Sequence, residues 1–134
     1  MAAETTEFEL VSPEKLLISK AAEMVVVPGT EGDFGALPRH APMMTAVRPG
    51  VIDVYQAGKV EDRIFVAGGF AEVNETRITV LAEEAIPLTE LTMETAQNRL
   101  SAAEKELASA ASDYARKDAE RHLAIARAMV AALG

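Results

Sequence analysis

Residues 27–50, VPGTEGDFGALPRHAPMMTAVRPG, constrain this chain more than any other stretch. Four glycines (Gly29, Gly32, Gly35, Gly50) and four prolines (Pro28, Pro38, Pro42, Pro49) punctuate it. Proline fixes φ and removes an amide donor, whereas glycine reaches backbone angles that other residues resist. Among them lie apolar Phe34, Leu37, Met43 and Met44 and polar Glu31, Asp33, Arg39 and His40. A connection this long inside a compact domain is as a rule functional or disordered. A disordered linker would be rich in serine and poor in apolar anchors. The pattern therefore predicts a stiff, folded connection that holds polar groups out at one end of a β-domain.

The flanking sequence supplies that domain. Short runs with strand character recur at residues 7–10, 16–18, 24–27, 51–55, 63–66, 70–73 and 77–81, some alternating and some continuously apolar. Gln56, Ala57, Gly58 and Lys59 stand where one hairpin turn is expected, and Asn74, Glu75 and Thr76 where another is. Strands at this spacing predict two packed antiparallel sheets, a β-sandwich over about residues 1–88. Only 4% of the 134 residues are aromatic, so the core must rest on Val, Ile, Leu, Met and Ala.

At Pro87 the period changes. Met93, Ala96, Leu100, Ala103 and Leu107 follow helical spacing behind Thr92, an N-cap type, and Glu94 suits the positive end of that helix. Residues 109–113, SAASD, predict a turn. A second helix follows, with Ala115, Ala119, Leu123, Ala126, Val130 and Leu133 on one stripe. A short turn between helices predicts an antiparallel hairpin, about residues 89–134. Alanine favours helix but buries little area, so the hairpin is expected to be strongly helical and lightly docked.

Charge and composition exclude several functions. The formal net charge is −8, with fourteen acids and seven bases up to Leu88. An acidic chain repels phosphate backbones, which argues against nucleic acid as a partner. Cysteine is absent, so disulfides and thiolate metal sites are excluded. The opening MAAETTEFEL lacks the basic and apolar regions of a signal or transit peptide, and no apolar run is long enough to span a membrane. Cytosolic exposure without membrane insertion is expected. Gly68-Gly69 lacks the Lys-Ser/Thr and helix of a phosphate loop and reads as a tight turn. His40 and His122 have no second nitrogen ligand nearby in sequence, so no metal site is expected. Glu83-Glu84 reads as a solvated acidic strand end. Asn74-Glu75-Thr76 matches a glycosylation acceptor but, without a secretory signal, reads as a turn. No catalytic constellation is apparent, and no cofactor is expected.

The block EGDFGALPRHAPMMTAVRPG closely resembles the signature of the epsilon subunit of the rotary proton-translocating ATP synthase. The resemblance continues through FVAGGFAEVNETRITVLAEEA (residues 65–85) and the Ala-rich tail, covering almost the whole chain. The family usually has Gly where this chain has Arg39. The resemblance implies a non-catalytic central-stalk subunit that joins the gamma shaft to the membrane rotor ring, so that ring rotation drives ATP synthesis in the head. It implies a peripheral position on the cytoplasmic side of a bacterial inner membrane.

By family position, Glu31, Gly32, Asp33 and Phe34 lie on one ring-facing loop and Arg39 and His40 on the next. Arg116, Lys117, Arg121 and Arg127 fall in the basic helix that meets the alpha and beta subunits of the head. Asp118 and Glu120 dilute that charge to four bases against two acids, which implies a mild brake on hydrolysis. Some members bind ATP through Ile/Leu-Asp-x-x-Arg-Ala. Here Leu91 and Ala96 remain, while Thr92 and Thr95 replace the Asp and the Arg, which implies loss of ATP binding. The rival class is a stand-alone ligand-binding β-module with a helical tail. It would need an aromatic or polar concave face, for which two Tyr, four Phe and no Trp equip the chain poorly.

Overall fold

The computed structural model describes residues 4–134. Ten strands come first: β1 (Thr6–Val11), β2 (Leu16–Ala22), β3 (Met24–Gly29), β4 (Gly32–Ala36), β5 (Met43–Val47), β6 (Gly50–Gln56), β7 (Lys59–Val66), β8 (Gly69–Val73), β9 (Arg77–Ala82) and β10 (Ala85–Pro87). A single 3-10 turn (Leu88–Glu90) leads to α1 (Met93–Ala108) and α2 (Asp113–Leu133).

The strands pair in the order β10-β7-β6-β3-β5-β8-β9-β1-β2, with β4 also on β3. One residue pair, Gly29 with Val47, is all that joins β3 to β5. The path therefore folds there into two layers, β10-β7-β6-β3-β4 and β5-β8-β9-β1-β2. Their inner faces meet in one core: Phe8, Leu10, Ile78 and Val80 from the second layer pack with Val25, Val27, Ile52, Val54, Ile64 and Val66 from the first. Alternation explains the assignment, since β1 buries Thr6, Phe8 and Leu10 and turns Glu7 and Glu9 outward. The sandwich expected from the sequence is present. One pairing within it is parallel, β1 with β9.

The glycine- and proline-rich stretch is more ordered than a connection. It contributes the end of β3, all of β4 and all of β5, and so forms part of the sheets it was expected only to link. The two expected turns form. Ala57 and Gly58 take φ of 54° and 73°, the left-handed pair required in a two-residue hairpin loop. At the other, Asn74 Oδ1 accepts from the amides of Thr76 (2.9 Å) and Arg77 (2.8 Å). Gly68 and Gly69, at φ 119° and 147°, carry the chain from β7 in one layer to β8 in the other. A Cβ on Gly69 would lie 2.0 Å from the Leu81 carbonyl oxygen, so only glycine fits this corner.

Both helices are capped as the sequence suggests. Thr92 accepts from the Thr95 amide and Ser112 from the Ala115 amide. They pack as an antiparallel hairpin through Ala96, Ala103, Ala119, Leu123 and Ala126, all buried. The alanine stripe conceals a second one. Ile125 and Met129 lie off it and, with Leu91 and Ala96, cover Phe65 and Ala67 in a separate core flanked by Val51 and Ile86. This explains why Ile64, Phe65 and Val66 are all buried: the first and third face the sandwich interior, the second faces the helices.

The docking is thus anchored by four large side chains, Phe65, Leu91, Ile125 and Met129, and is firmer than alanine alone would give. Removing the helices would uncover Phe65, which corrects the expectation of a lightly docked hairpin.

Candidate functional site

The first candidate surface is the β3–β4 turn. Glu31 and Asp33 are exposed and Gly32 takes φ 129°, a conformation open to glycine. Phe34 anchors the turn by packing against the sandwich core. Arg48, which follows β5, braces it. Its Nη1 donates to the Gly29 carbonyl and its Nη2 to Asp33 Oδ1, both at 2.5 Å, while its own amide donates to the Pro28 carbonyl at 2.9 Å. The Thr30 amide donates to the Ala46 carbonyl at 3.0 Å. Nothing about Arg48 marked it in the sequence except its position two residues before a glycine.

Arg39 and His40 do not join this surface. They follow β4, whose five residues run back from the turn, so the two groups stand at opposite ends of the strand, roughly 17 Å apart at 3.3–3.4 Å per residue. The two loops expected to face the ring are thus separated by the length of β4. Arg39 pairs with Glu4, and its amide donates to the Glu75 carbonyl at 2.8 Å. Its φ of 66° is the left-handed conformation that favours glycine. His40 Nδ1 lies 2.7 Å from the Ala41 carbonyl oxygen.

A second surface was not foreseen. On the outer face of the second layer, register places Ala46 beside Phe70, Phe70 beside Leu81, Leu81 beside Val11 and Val11 beside Leu16. The result is an apolar row across five strands. Phe70 is 41% exposed, and Leu81 and Leu16 are each 54% exposed; Met44, one row away on β5, is 65% exposed. The corresponding face of the first layer carries Phe65 and Val51 and is covered by the helices. The sequence signal was there, in apolar residues at the outward positions of alternating strands, but outward is defined only once the register is known.

The helical hairpin brings together a third group. Thr92 Oγ1, besides capping α1, donates to Thr95 Oγ1 at 2.9 Å, so these two threonines bond each other. Arg99, the nearest guanidinium, is committed bidentately to Glu84 at 2.8 and 3.1 Å. Glu83 and Glu84, read as a solvated strand end, are therefore partners of the hairpin, Glu83 lying 3.6 Å from Arg121.

Among the basic positions of α2, Arg116 pairs with Asp113 and Arg121 with Asp118. Lys117 and Arg127 are exposed and, among the described residues, make no ion pair. His122, isolated in the sequence, meets Glu106 across the hairpin, with Nδ1 2.9 Å from Oε2. Glu106, Asp118 and His122 place donor atoms within 4.8 Å of one another. Yet Asp118 approaches the opposite ring nitrogen, Nε2, at 4.0 Å, and the Arg121 guanidinium stands 3.2 Å from that same nitrogen. The arrangement serves as a clasp between helices rather than a shared cation site. No helix of the described residues is long and apolar enough to cross a membrane.

Comparison with known proteins follows the same outline. Residues 5–88 match the model of the family described as "ATP synthase, Delta/Epsilon chain, beta-sandwich domain". The chain is 61% identical over 130 residues to the ATP synthase epsilon chain of Rhodospirillum rubrum, covering 97% of each. It is 62% identical over 131 residues to that of Paramagnetospirillum magneticum, covering 98% of each. Among solved structures, a chain of the Euglena gracilis mitochondrial ATP synthase, in a complex of OSCP, F1 and c-ring, superposes with a TM-score of 0.82 at 27% identity. That match covers 97% of this chain and 82% of the other. A chain of the Tetrahymena thermophila mitochondrial central stalk and c-ring shares the fold, with a TM-score of 0.69 at 11% identity over the full length of both chains.

Proposed function

The chain belongs to the family of ATP synthase epsilon chains, and on that premise we propose that it is a non-catalytic rotor subunit coupling the membrane ring to the gamma shaft. Its sandwich is the coupler. The observation that carries this reading is the uncovered apolar row through Phe70, Leu81, Val11 and Leu16 on one outer face, while the other outer face is occupied by the helical hairpin. Exposed apolar surface rimmed by polar side chains marks a protein interface. Gamma is the partner that fits, because a rotor element must be held continuously and apolar burial supplies that without directional bonds.

The braced β3–β4 turn, presenting Glu31, Gly32 and Asp33 with Phe34 as its anchor, faces the polar loops of the ring. Arg39 and His40, at the other end of β4, belong to a different contact. Torque passes between the two surfaces through a close-packed interior that resists compression. The hairpin is a regulatory attachment. Undocked, it would offer α2 to the alpha and beta subunits, with Lys117 and Arg127 as its free charges, so the brake on hydrolysis is mild. The place of action is the cytoplasmic face of a bacterial inner membrane.

The test is a charge placed in the row. Phe70→Asp and Leu81→Asp leave the core residues untouched and should release the subunit from purified gamma. Each removes the burial of a half-exposed side chain, about 1 kcal/mol, and adds a desolvation penalty of about 1–3 kcal/mol. Retention of gamma by both variants would refute the assignment of this face.

A further inference from the structure

We propose that Arg48 is the positioning residue of the ring-facing turn, and that by taking up Asp33 it leaves Glu31 as the carboxylate presented to the ring. The inference rests on the reading of that turn as the ring contact. Its own grounds are geometric. Two arms of one guanidinium are split between the last residue of β3, at the Gly29 carbonyl, and the second residue of β4, at Asp33 Oδ1. The base of the same residue is fixed by its amide bond to the Pro28 carbonyl. Backbone pairing of Pro28 with Asp33 and Gly29 with Gly32 sets the spacing of the two sides; a planar fork held at its root and bonded at both tips fixes where that paired turn sits against the end of β5.

Between those sides lie only Thr30, Glu31 and Gly32, all exposed, and Gly32 alone imposes no side chain on the backbone angles. Without the fork, these three residues would keep the Thr30 amide bond to Ala46 as their sole link to β5. The electrostatic consequence follows from the same bond. Asp33 is matched by Arg48, whereas Glu31 has no ion pair among the described residues. The two acids of the turn are thus unequal, and substitutions at them should act differently.

The experiment uses the assembled complex in membranes, with Thr30→Cys as reporter and single cysteines placed in turn along the ring loops. With Arg48 intact, disulfide formation should be confined to one or two adjacent ring positions. Arg48→Ala should spread it over neighbouring positions and lower the yield at the main one by at least about threefold. Asp33→Asn should produce the same spreading, whereas Glu31→Gln should leave the positions unchanged and lower the yield more at low salt than at high salt. Arg48→Lys, keeping the charge without the fork, should restore yield only in part.

Exchange of the Thr30 amide in the isolated subunit should quicken in Arg48→Ala, with no change at β1 and β9. An unaltered cross-link pattern in Arg48→Ala, even with a lowered Tm, would overturn the proposal and show an ordinary structural role. Absence of any cross-link with Arg48 intact, in an active complex, would instead overturn the ring-facing reading on which it rests.

Discussion

Met129→Ala separates the hairpin from the sandwich energetically. Met129 is fully buried in the second core, where with Ile125 it meets Phe65 of β7. Truncating a buried Met, Leu or Ile to Ala costs about 2–5 kcal/mol, and the cost is lower where neighbours can collapse into the space. The surroundings here include Ala67, Ala96, Ala128 and Ala132, small neighbours that forfeit few contacts, which places the loss at about 2–3 kcal/mol. Since that core lies between helices and sheet, the loss falls on docking and multiplies the undocking equilibrium roughly 30- to 160-fold.

Native-state hydrogen exchange reads this directly. Amides of α1 and α2 should lose protection by that factor, while those of β1 and β9, sealed in the other core, should lose far less. In assembled enzyme the same variant should alter ATP hydrolysis only modestly. An equal loss in helices and sheets would refute the reasoning, because it would make the two cores one cooperative unit.

Two further outcomes follow from particular contacts. The isolated subunit should bind ATP with a Kd weaker than about 10 μM, roughly −7 kcal/mol, because Thr92 and Thr95 bond each other and Arg99 is held by Glu84; calorimetry showing tighter binding would contradict this. Lys20, on β2, bonds Asp62 at 2.7 Å and also Glu61, both on β7, and these bonds raise its pKa above the ordinary 10.5. A raised folded pKa stabilises fully below the unfolded value and fades as pH climbs through the folded one, so alkaline melting of wild type should steepen above about pH 10.5 relative to Lys20→Met.

The sequence made the fold class legible because alternation, turn residues and helix caps all pointed the same way. β4 stayed hidden because Gly-Asp-Phe-Gly-Ala has poor strand propensity and is held by pairing with β3, a tertiary effect. The parallel β1–β9 pair and the apolar row both depend on register, which no single strand specifies. Ile125 and Met129 escaped notice because α2 has two apolar stripes, one for α1 and one for the sandwich, and periodicity singles out the more populated. For the site, the resemblance drew attention to Glu31 and Asp33 and to Arg39 and His40 alike, but adjacency in sequence could not show that β4 stands between the two groups. Arg48, Glu83 and Glu84 became visible only through their partners.

The central claim is that the sandwich alone couples and the hairpin only modulates. It is tested most directly by proton-driven ATP synthesis in membranes whose epsilon chain is cut to residues 1–88. Because the cut uncovers Phe65, the fragment should also carry Phe65→Thr, which keeps strand propensity and removes the exposed ring. The account predicts synthesis close to that of the full-length chain, with hydrolysis unchanged or modestly raised. A fragment that is folded and bound to gamma yet leaves synthesis uncoupled would contradict it.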